Sequence, residues 1–354
     1  MKIVIYTHYL KGGGAEKRAT TYANYLFDSG IDVHVVTIYP TESEYTINNK
    51  IKRSFIASNK TEYDKLSIAK KTKRLREILT NIKPDVVVSF LTTYGLYTVF
   101  ARRHCKELKN TKLVYCVTVY QRKYSLKHRI VDFLCCLHSD RISLQCYEQI
   151  KCNRLFKRKC IVNFNPVADK WDVYKRNYSS LSIISVGRLT KQKRFDITIK
   201  AVCRAHAINS NISLDIFGDG PLKNKLNKLI KKYKAEKYIK LIGFSFELPK
   251  ELEKHNMMIS SSGFEGFPNG LAEGMLAGLV CLSTPCPTGP KEIIENNVNG
   301  ILFKNKKELT SSIIRLINNP LLCENLGIEA RKSCLKRFEA SVVLPKFLKD
   351  LSKL

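Results

Sequence analysis

Two carboxylates and a glycine-rich turn crowd into the stretch from Phe264 to Phe303, which reads FEGFPNGLAEGMLAGLVCLSTPCPTGPKEIIENNVNGILF. Glu273 follows Glu265 by eight residues, just over two helical turns if a helix starts near Asn269, so both carboxylates can face one cleft. Between them, Phe267, Pro268, Asn269 and Gly270 present several free backbone N–H groups at a helix start, a natural place for a polyhydroxylated or anionic ligand. The helix expected from Asn269 to Leu279 is small-faced, with Gly270, Ala272, Gly274, Ala277 and Gly278, so something must approach its backbone closely. A second pair of candidates is cationic. Arg188 and Lys193 lie five residues apart in SVGRLTKQKRFD, directly after an apolar run, where they suit an anionic ligand.

These residues need elements to hold them. Lys2 to Thr7 (KIVIYT) is an apolar run bounded by polar residues and glycines, the pattern of a buried parallel strand. Gly12, Gly13 and Gly14 follow, and Ala15 to Phe27 has helical period, so the helix start can turn amides toward a phosphate. Lys17 stands where a dinucleotide G-x-G-x-x-G would have its third glycine. Further strands are expected at Ile31–Ile38, Val86–Phe90 and Lys112–Val119, with helices at Lys65–Ile82 and Tyr124–His138. The later part repeats the alternation. Strands are expected at Leu181–Val186, Leu214–Phe217, Ile239–Ile242, Met257–Ser260 and Val280–Ser283, with helices at Phe195–Ala207 and Leu222–Tyr233. Strand alternating with helix argues α/β architecture with parallel sheets.

A chain of 354 residues suits two domains, and 44% hydrophobic content fills two cores. The polar, irregular Asp169–Ser180 marks the linker. No run of eighteen apolar residues is present, the start MKIVIYTHYL is too short for a signal peptide, and mean hydropathy is −0.19; a cytoplasmic protein is expected. The twelve cysteines show no paired metal spacing and read as reduced thiols.

The net charge of +30 demands a partner or a solubility role. Arg102 to Arg129 holds nine basic residues against one acid, and Lys151 to Lys159 holds five in nine. With Tyr115, Tyr120, Tyr124, Phe133 and Leu134 interleaved, this region is expected to sit against anionic lipid. Nucleic acid would feel the same field, but no nucleic-acid motif accompanies it.

The Phe264–Phe303 stretch resembles the donor-sugar signature of family 4 retaining glycosyltransferases of the GT-B fold: E-G-F-x-x-x-x-x-E, a small-residue helix, a buried strand and G-x-x-E-I-I, here Gly289 to Ile294. Val186-Gly187-Arg188-Leu189 with Lys193 matches the family's V-G-R-L-x-x-x-K, and Asn165-Pro166 its N-P junction. The resemblance implies α/β GT-B architecture, two Rossmann-like doubly wound parallel-sheet domains facing a cleft. The acceptor-side domain would be residues 1–166 and the nucleotide-sugar domain 167–340, with a closing helix at about 341–354 packing back on the first.

It further implies catalytic roles for Arg188 and Lys193 on the diphosphate and Glu265 on the donor-sugar hydroxyls, with Glu273 on the ribose. Phe267, Pro268, Asn269, Gly270 and Leu271 would orient the donor, Asp219 and Phe244 lie in loops that surround the base, and Gly13 and Gly14 would close over phosphate and acceptor. No D-x-D ends a strand, and Asp215 and Asp219 are four positions apart; a metal-independent enzyme without a cofactor, using a UDP-sugar as co-substrate, is expected.

The segment Cys286-Pro287-Thr288-Gly289-Pro290 looks like bacterial enzymes that move a hexose or N-acetylhexosamine onto lipid-linked glycans, at the inner face of the membrane. The family's N-domain histidine is missing from Val117–Gln121, leaving His8, His104 and His128 as nearby candidates. Two other readings are a UDP-sugar epimerase of the same fold, which would need an acid–base pair facing the sugar, and a basic nucleic-acid-binding protein.

Overall fold

Apolar runs that are buried on both faces form the centres of two parallel sheets. In the first, β1 (Lys2–Tyr6) lies between β2 (Asp32–Thr37) and β4 (Val86–Phe90), with Ile3 level with Val33 on one side and Val86 on the other. β3 (Lys52–Phe55) adds outside β2, while β5 (Lys112–Cys116), β6 (Arg141–Leu144) and β7 (Cys160–Val162) extend the other edge, giving the order β3-β2-β1-β4-β5-β6-β7. The second sheet has the order β10-β9-β8-β11-β12-β13, from β8 (Leu181–Val186), β9 (Ile212–Phe217), β10 (Ile239–Gly243), β11 (Met257–Ser260), β12 (Val280–Ser283) and β13 (Ile301–Leu302). Both are doubly wound orders that reverse direction beside their first strand, and loops at that switch point form a crevice at the strands' carboxyl ends. The computed structural model describes residues 1–103, 105–121, 125–167, 176–245 and 247–354; His104, Tyr124 and residues 169–175 of the expected linker lie outside them. One unit comprises residues 1–166 with 343–354, the other 167–342.

Alternation along the strands divides each core between two helical layers. Ile183, Met257 and Ile259 join a cluster with Ile199, Val202, Ile313 and Leu316 from helices Phe195–His206 and Lys306–Ile317. Met258, between two of them, faces the other way, so a Cβ added at Gly274 of helix Asn269–Leu276 would lie 2.6 Å from its Sδ. In the first unit, Phe347 of helix Ala340–Leu351 packs on Tyr22 of helix Gly14–Asp28 with centroids 4.1 Å apart and the rings tilted by 32°, and Lys346 Nζ donates to Val162 O.

Three expected elements change. The helix expected at Lys65–Ile82 starts instead at Ile68, where Ser67 accepts from the Lys70 N–H, and a separate short helix, Lys60–Lys65, precedes it. Lys112–Val119 ends as a strand at Cys116. The helix from Asn269 stops at Leu276 instead of Leu279: Gly278 takes φ +74°, and Leu279 N–H donates to Gly274 O while Gly278 N–H donates to Met275 O, the hydrogen-bond pattern that closes helices on a left-handed glycine.

The surface aromatic reading is also corrected. Tyr115 and Tyr120 are buried, and Leu134 is half-buried; of the described residues in that set only Phe133 is exposed. Tyr115 sits on central strand β5, where a neighbouring strand lies on each side, and its hydroxyl donates to Asp132.

Candidate functional site

The loop after β8 and the loop after β11 leave adjacent strands at the switch point of the second sheet, and Lys193 and Glu265 meet there. Lys193 Nζ donates to Glu265 Oε1 at 2.7 Å, with side chains 23% and 8% exposed. The β8 loop can fold so closely because of glycine. Gly187 has φ +148°, and a Cβ there would lie 2.8 Å from Lys193 Cε, so the lysine stem crosses bare backbone. Gly218, at φ +135° after β9, is tighter: its Cβ would fall 2.1 Å from Gly187 O. Backbone bonds join these turns, Gly187 N–H to Phe217 O, Leu189 N–H to Asp219 O and Gly218 N–H to Gly243 O.

A second set of hydrogen bonds fixes the two loops to each other. Gln192 Nε2 donates to Phe264 O at 2.8 Å, and Gly263 N–H donates to Gln192 O at 2.8 Å. Ser261 Oγ lies within hydrogen-bond range of Lys193 O at 2.8 Å and Arg194 O at 3.0 Å. Thr288 Oγ1, buried, donates to Glu265 O. Thr288 belongs to a turn in which Gly289, φ +85°, lets Pro268 approach to 2.6 Å of where a Cβ would stand. Gln192, Ser261 and Thr288 were not expected as site residues. Thr288 stands in the Cys286–Pro290 segment, whereas nothing in the local sequence marks Ser261.

Other expected residues fall around this pair in different ways. Arg188 is exposed at the start of the β8 loop. Helix Asn269–Leu276 opens at Pro268 without a side-chain cap; among the described residues, the N–H groups of Gly270 and Leu271 in its first turn have no acceptor, while Asn269 N–H donates to Phe267 O. Gly270 packs against Val186 at the end of β8, which brings these amides to the same strand end as Arg188. Glu273 is half-buried on that helix. The Phe267 side chain is buried edge-to-face on Phe338, centroids 5.5 Å apart, so its contribution is packing of the loop. Asp219 is exposed, accepting from Gly220 N–H at 2.7 Å, and Phe244 is exposed after β10. Cys286 is buried close to Glu265, and burial, reinforced by that carboxylate's charge, pushes its thiol up to about 12.

Gly13 and Gly14 belong to the first unit. Gly13 precedes helix Gly14–Asp28, and Glu16 folds back over it so that a Cβ there would lie 2.1 Å from Glu16 Oε2. That helix start therefore carries a carboxylate of its own. His8, after β1, stacks on Tyr9 with its Nδ1 3.9 Å from Glu16 Oε1, and His128 is exposed and bonded to Ser125. Where a family histidine was missing, Gln121 is buried and donates to Asp132 Oδ2 at 2.6 Å and Asn153 Oδ1 at 3.1 Å. Burial raises the Asp132 carboxyl above its ordinary value although Tyr115 and Gln121 both donate to it. An open hollow of about 520 Å³ elsewhere in the first unit is lined by Ile56, Glu62 and Arg74, and Glu62 and Arg74 neutralise each other there.

Comparison with known proteins agrees with this geometry. Residues 172–333 match the family described as glycosyl transferases group 1, and residues 5–145 match glycosyl transferase 4-like. A Campylobacter jejuni α-1,4-N-acetyl-D-galactosaminyltransferase, whose name gives a glycan on diphospho-undecaprenol as its substrate, is 26% identical over the whole chain and 99% of its own length. The Staphylococcus aureus poly(ribitol-phosphate) α-N-acetylglucosaminyltransferase is 27% identical over 46% of this chain; the chain spans only about a third of the length of that relative and of others like it. Anabaena HepE, solved in complex with UDP-glucose, superposes over 100% of both chains with a TM-score of 0.84 at 16% identity. The two family matches fall one on each half of a chain built from two doubly wound parallel sheets, and the chain belongs to the GT4-like glycosyltransferases of GT-B fold.

Proposed function

We propose that the chain is a retaining, metal-independent glycosyltransferase that moves a hexose or N-acetylhexosamine from a UDP-sugar to a lipid-linked or polysaccharide acceptor in bacterial cell-surface glycan synthesis. The observation that carries this reading is the Lys193–Glu265 pair at the β8–β11 switch point, beside the open amides of Gly270 and Leu271. Arg188 and Lys193 would take the diphosphate and stabilise the charge that develops on it as it leaves. Glu265, tied to Lys193 and nearly buried, suits a carboxylate that accepts sugar hydroxyls better than one that attacks the anomeric carbon. The attacking acceptor would then approach from the leaving-group face, and the departing phosphate would take its proton. Glu273, on the helix after this turn, would hold the ribose.

The Campylobacter relative, aligned end to end, supports a lipid-linked acceptor, and the HepE complex supports a UDP-sugar donor. Among the described residues no helix is long and apolar enough to cross a membrane. A lipid-linked acceptor would be met at the membrane surface. Thermal shift against UDP, GDP, ADP and their sugar conjugates, with and without EDTA, tests the donor. At 100 times its dissociation constant a true donor adds about 2.7 kcal/mol of stability. A shift with UDP-sugars that survives EDTA is expected. No shift with any nucleotide, or a shift with DNA alone, overturns the reading.

A further inference from the structure

Helix Leu126–His138 carries a second apolar face that the fold leaves in water. Leu126, Ile130, Phe133 and Leu137 are 74%, 56%, 45% and 44% exposed. Their spacing of four, three and four residues puts them within roughly 60° of one another around the helix, at about 100° per residue. The buried residues Asp132, Cys135 and Cys136 occupy another side, so the stripe is not a core face that strayed outward. The segment Arg154–Lys159 packs alongside: Phe156 lies 5.3 Å from Phe133, centroid to centroid, and Lys159 Nζ donates to Leu137 O at 2.7 Å and Ser139 O at 2.9 Å. It adds Leu155, 85% exposed.

The rim of this patch is cationic. Lys127 and Arg129 flank the stripe on the helix, and Arg154, Lys157 and Arg158 are exposed beside it. The nearby acids do little to offset them: Asp132 is buried, Asp140 is held by Arg102 at 2.6 Å, and Glu148 by Lys151 at 2.7 Å.

We propose that this face docks the chain on an anionic lipid bilayer. The helix lies in the interface plane, with Leu126, Ile130, Phe133, Leu137 and Leu155 at the acyl boundary and the basic rim among the headgroups. Charge and apolarity together choose the occupant. An oligonucleotide would engage the cations and leave five large apolar side chains in water. A second copy of the chain would cover the apolar stripe but bring two cationic rims together. Of these three, the anionic bilayer satisfies both features. The inference rests on the proposed membrane-surface acceptor for its purpose, while docking itself is measurable without donor or acceptor.

The test is co-sedimentation of the full chain with phosphatidylglycerol-containing vesicles and with pure phosphatidylcholine vesicles, alongside Ile130→Asp/Leu155→Asp and Lys157→Gln/Arg158→Gln. Wild type is expected to pellet with the anionic vesicles and to lose at least tenfold in affinity on neutral ones or in about 0.5 M salt. The aspartate pair is expected to lose at least tenfold, and the glutamine pair about fivefold per residue. All four positions are exposed or part of the rim, so melting temperature and UDP-sugar binding should stay at wild-type values. Vesicle binding unchanged in both variants overturns the proposal. So does a wild-type dimer in light scattering that the aspartate pair makes monomeric without any vesicle binding, or capture by DNA alone. Failure of docking with UDP-sugar binding intact sinks this inference and leaves the donor reading standing; docking without nucleotide binding does the reverse.

Discussion

Lys193→Ala perturbs the stability of the site together with its chemistry. The substitution strands Glu265, whose side chain is 8% exposed and whose carboxylate has Lys193 Nζ at 2.7 Å. Breaking a fully buried pair by removing one partner costs about 3–5 kcal/mol, because the remaining charge stays desolvated. Lys193 itself is 23% exposed, so water reaches the gap it leaves and reduces the cost to about 2–3 kcal/mol. In a unit of this size each kcal/mol moves the midpoint by about 2–4 °C, so the variant should melt about 5–10 °C below wild type. Lys193→Ala therefore changes stability and activity together, which makes it the poorer test of catalysis. Glu265→Gln keeps an oxygen to accept from Lys193, and should cost about 1 kcal/mol while lowering turnover about 10²–10³-fold.

The double variant Lys193→Ala/Glu265→Gln closes the cycle. With no carboxylate to strand, it should melt within a few degrees of wild type despite losing both groups. Scanning calorimetry of the four proteins, with UDP-sugar turnover measured alongside, reads both quantities. If Lys193→Ala melts with wild type, or the double variant melts as low as the single, the buried-charge argument is wrong. If Glu265→Gln turns over near the wild-type rate, Glu265 does not hold the sugar.

Gly218→Ala places a Cβ 2.1 Å from Gly187 O at φ +135°, so it should cost more than about 2 kcal/mol in thermal denaturation and disorder the β8 loop; a midpoint within a degree of wild type would show that the turns can part cheaply. Thr288→Val removes the hydroxyl that donates to Glu265 O, and should slow turnover about tenfold at a stability cost of about 1–1.5 kcal/mol, with binding of UDP alone unchanged. Asp132 gives the pH prediction: its carboxyl is raised by burial, so its contribution to stability is fully present below about 4 and is lost as pH rises through the raised value. The stability of wild type relative to Asp132→Asn should therefore fall as pH rises above about 4; a difference that is flat or rises contradicts the burial argument. Cys286, pushed up to about 12, should resist iodoacetamide at pH 8 in the folded protein, and fast alkylation there would mean that the Glu265 loop opens readily.

What the sequence discloses, and what it withholds, follows from how local each signal is. KIVIY, VVVSF and MMIS announce their strands because a parallel strand buried on both faces must be apolar throughout. β3, Lys52–Phe55, is an edge strand with one neighbour and no buried residue, and KRSF carries no such run. The cations and carboxylates of the site could be named from their spacing within two motifs. Their meeting could not, because Lys193 and Glu265 are 72 residues apart and are joined by two loops that only the strand order makes adjacent. Ser261 is invisible for the same reason, since its role is to hold the backbone of a segment 67 residues away. The basic region shows the limit most clearly. Composition locates a cationic, aromatic-rich region correctly, yet Tyr115 turns inward to Asp132 while Leu126, Ile130 and Leu137 turn outward. Helical period fixes which of these side chains share a face; the side of the sheet on which the helix lies decides which face meets water. For this protein that choice separates a spare patch of charge from an apolar stripe with a cationic rim, and only the latter can hold a bilayer.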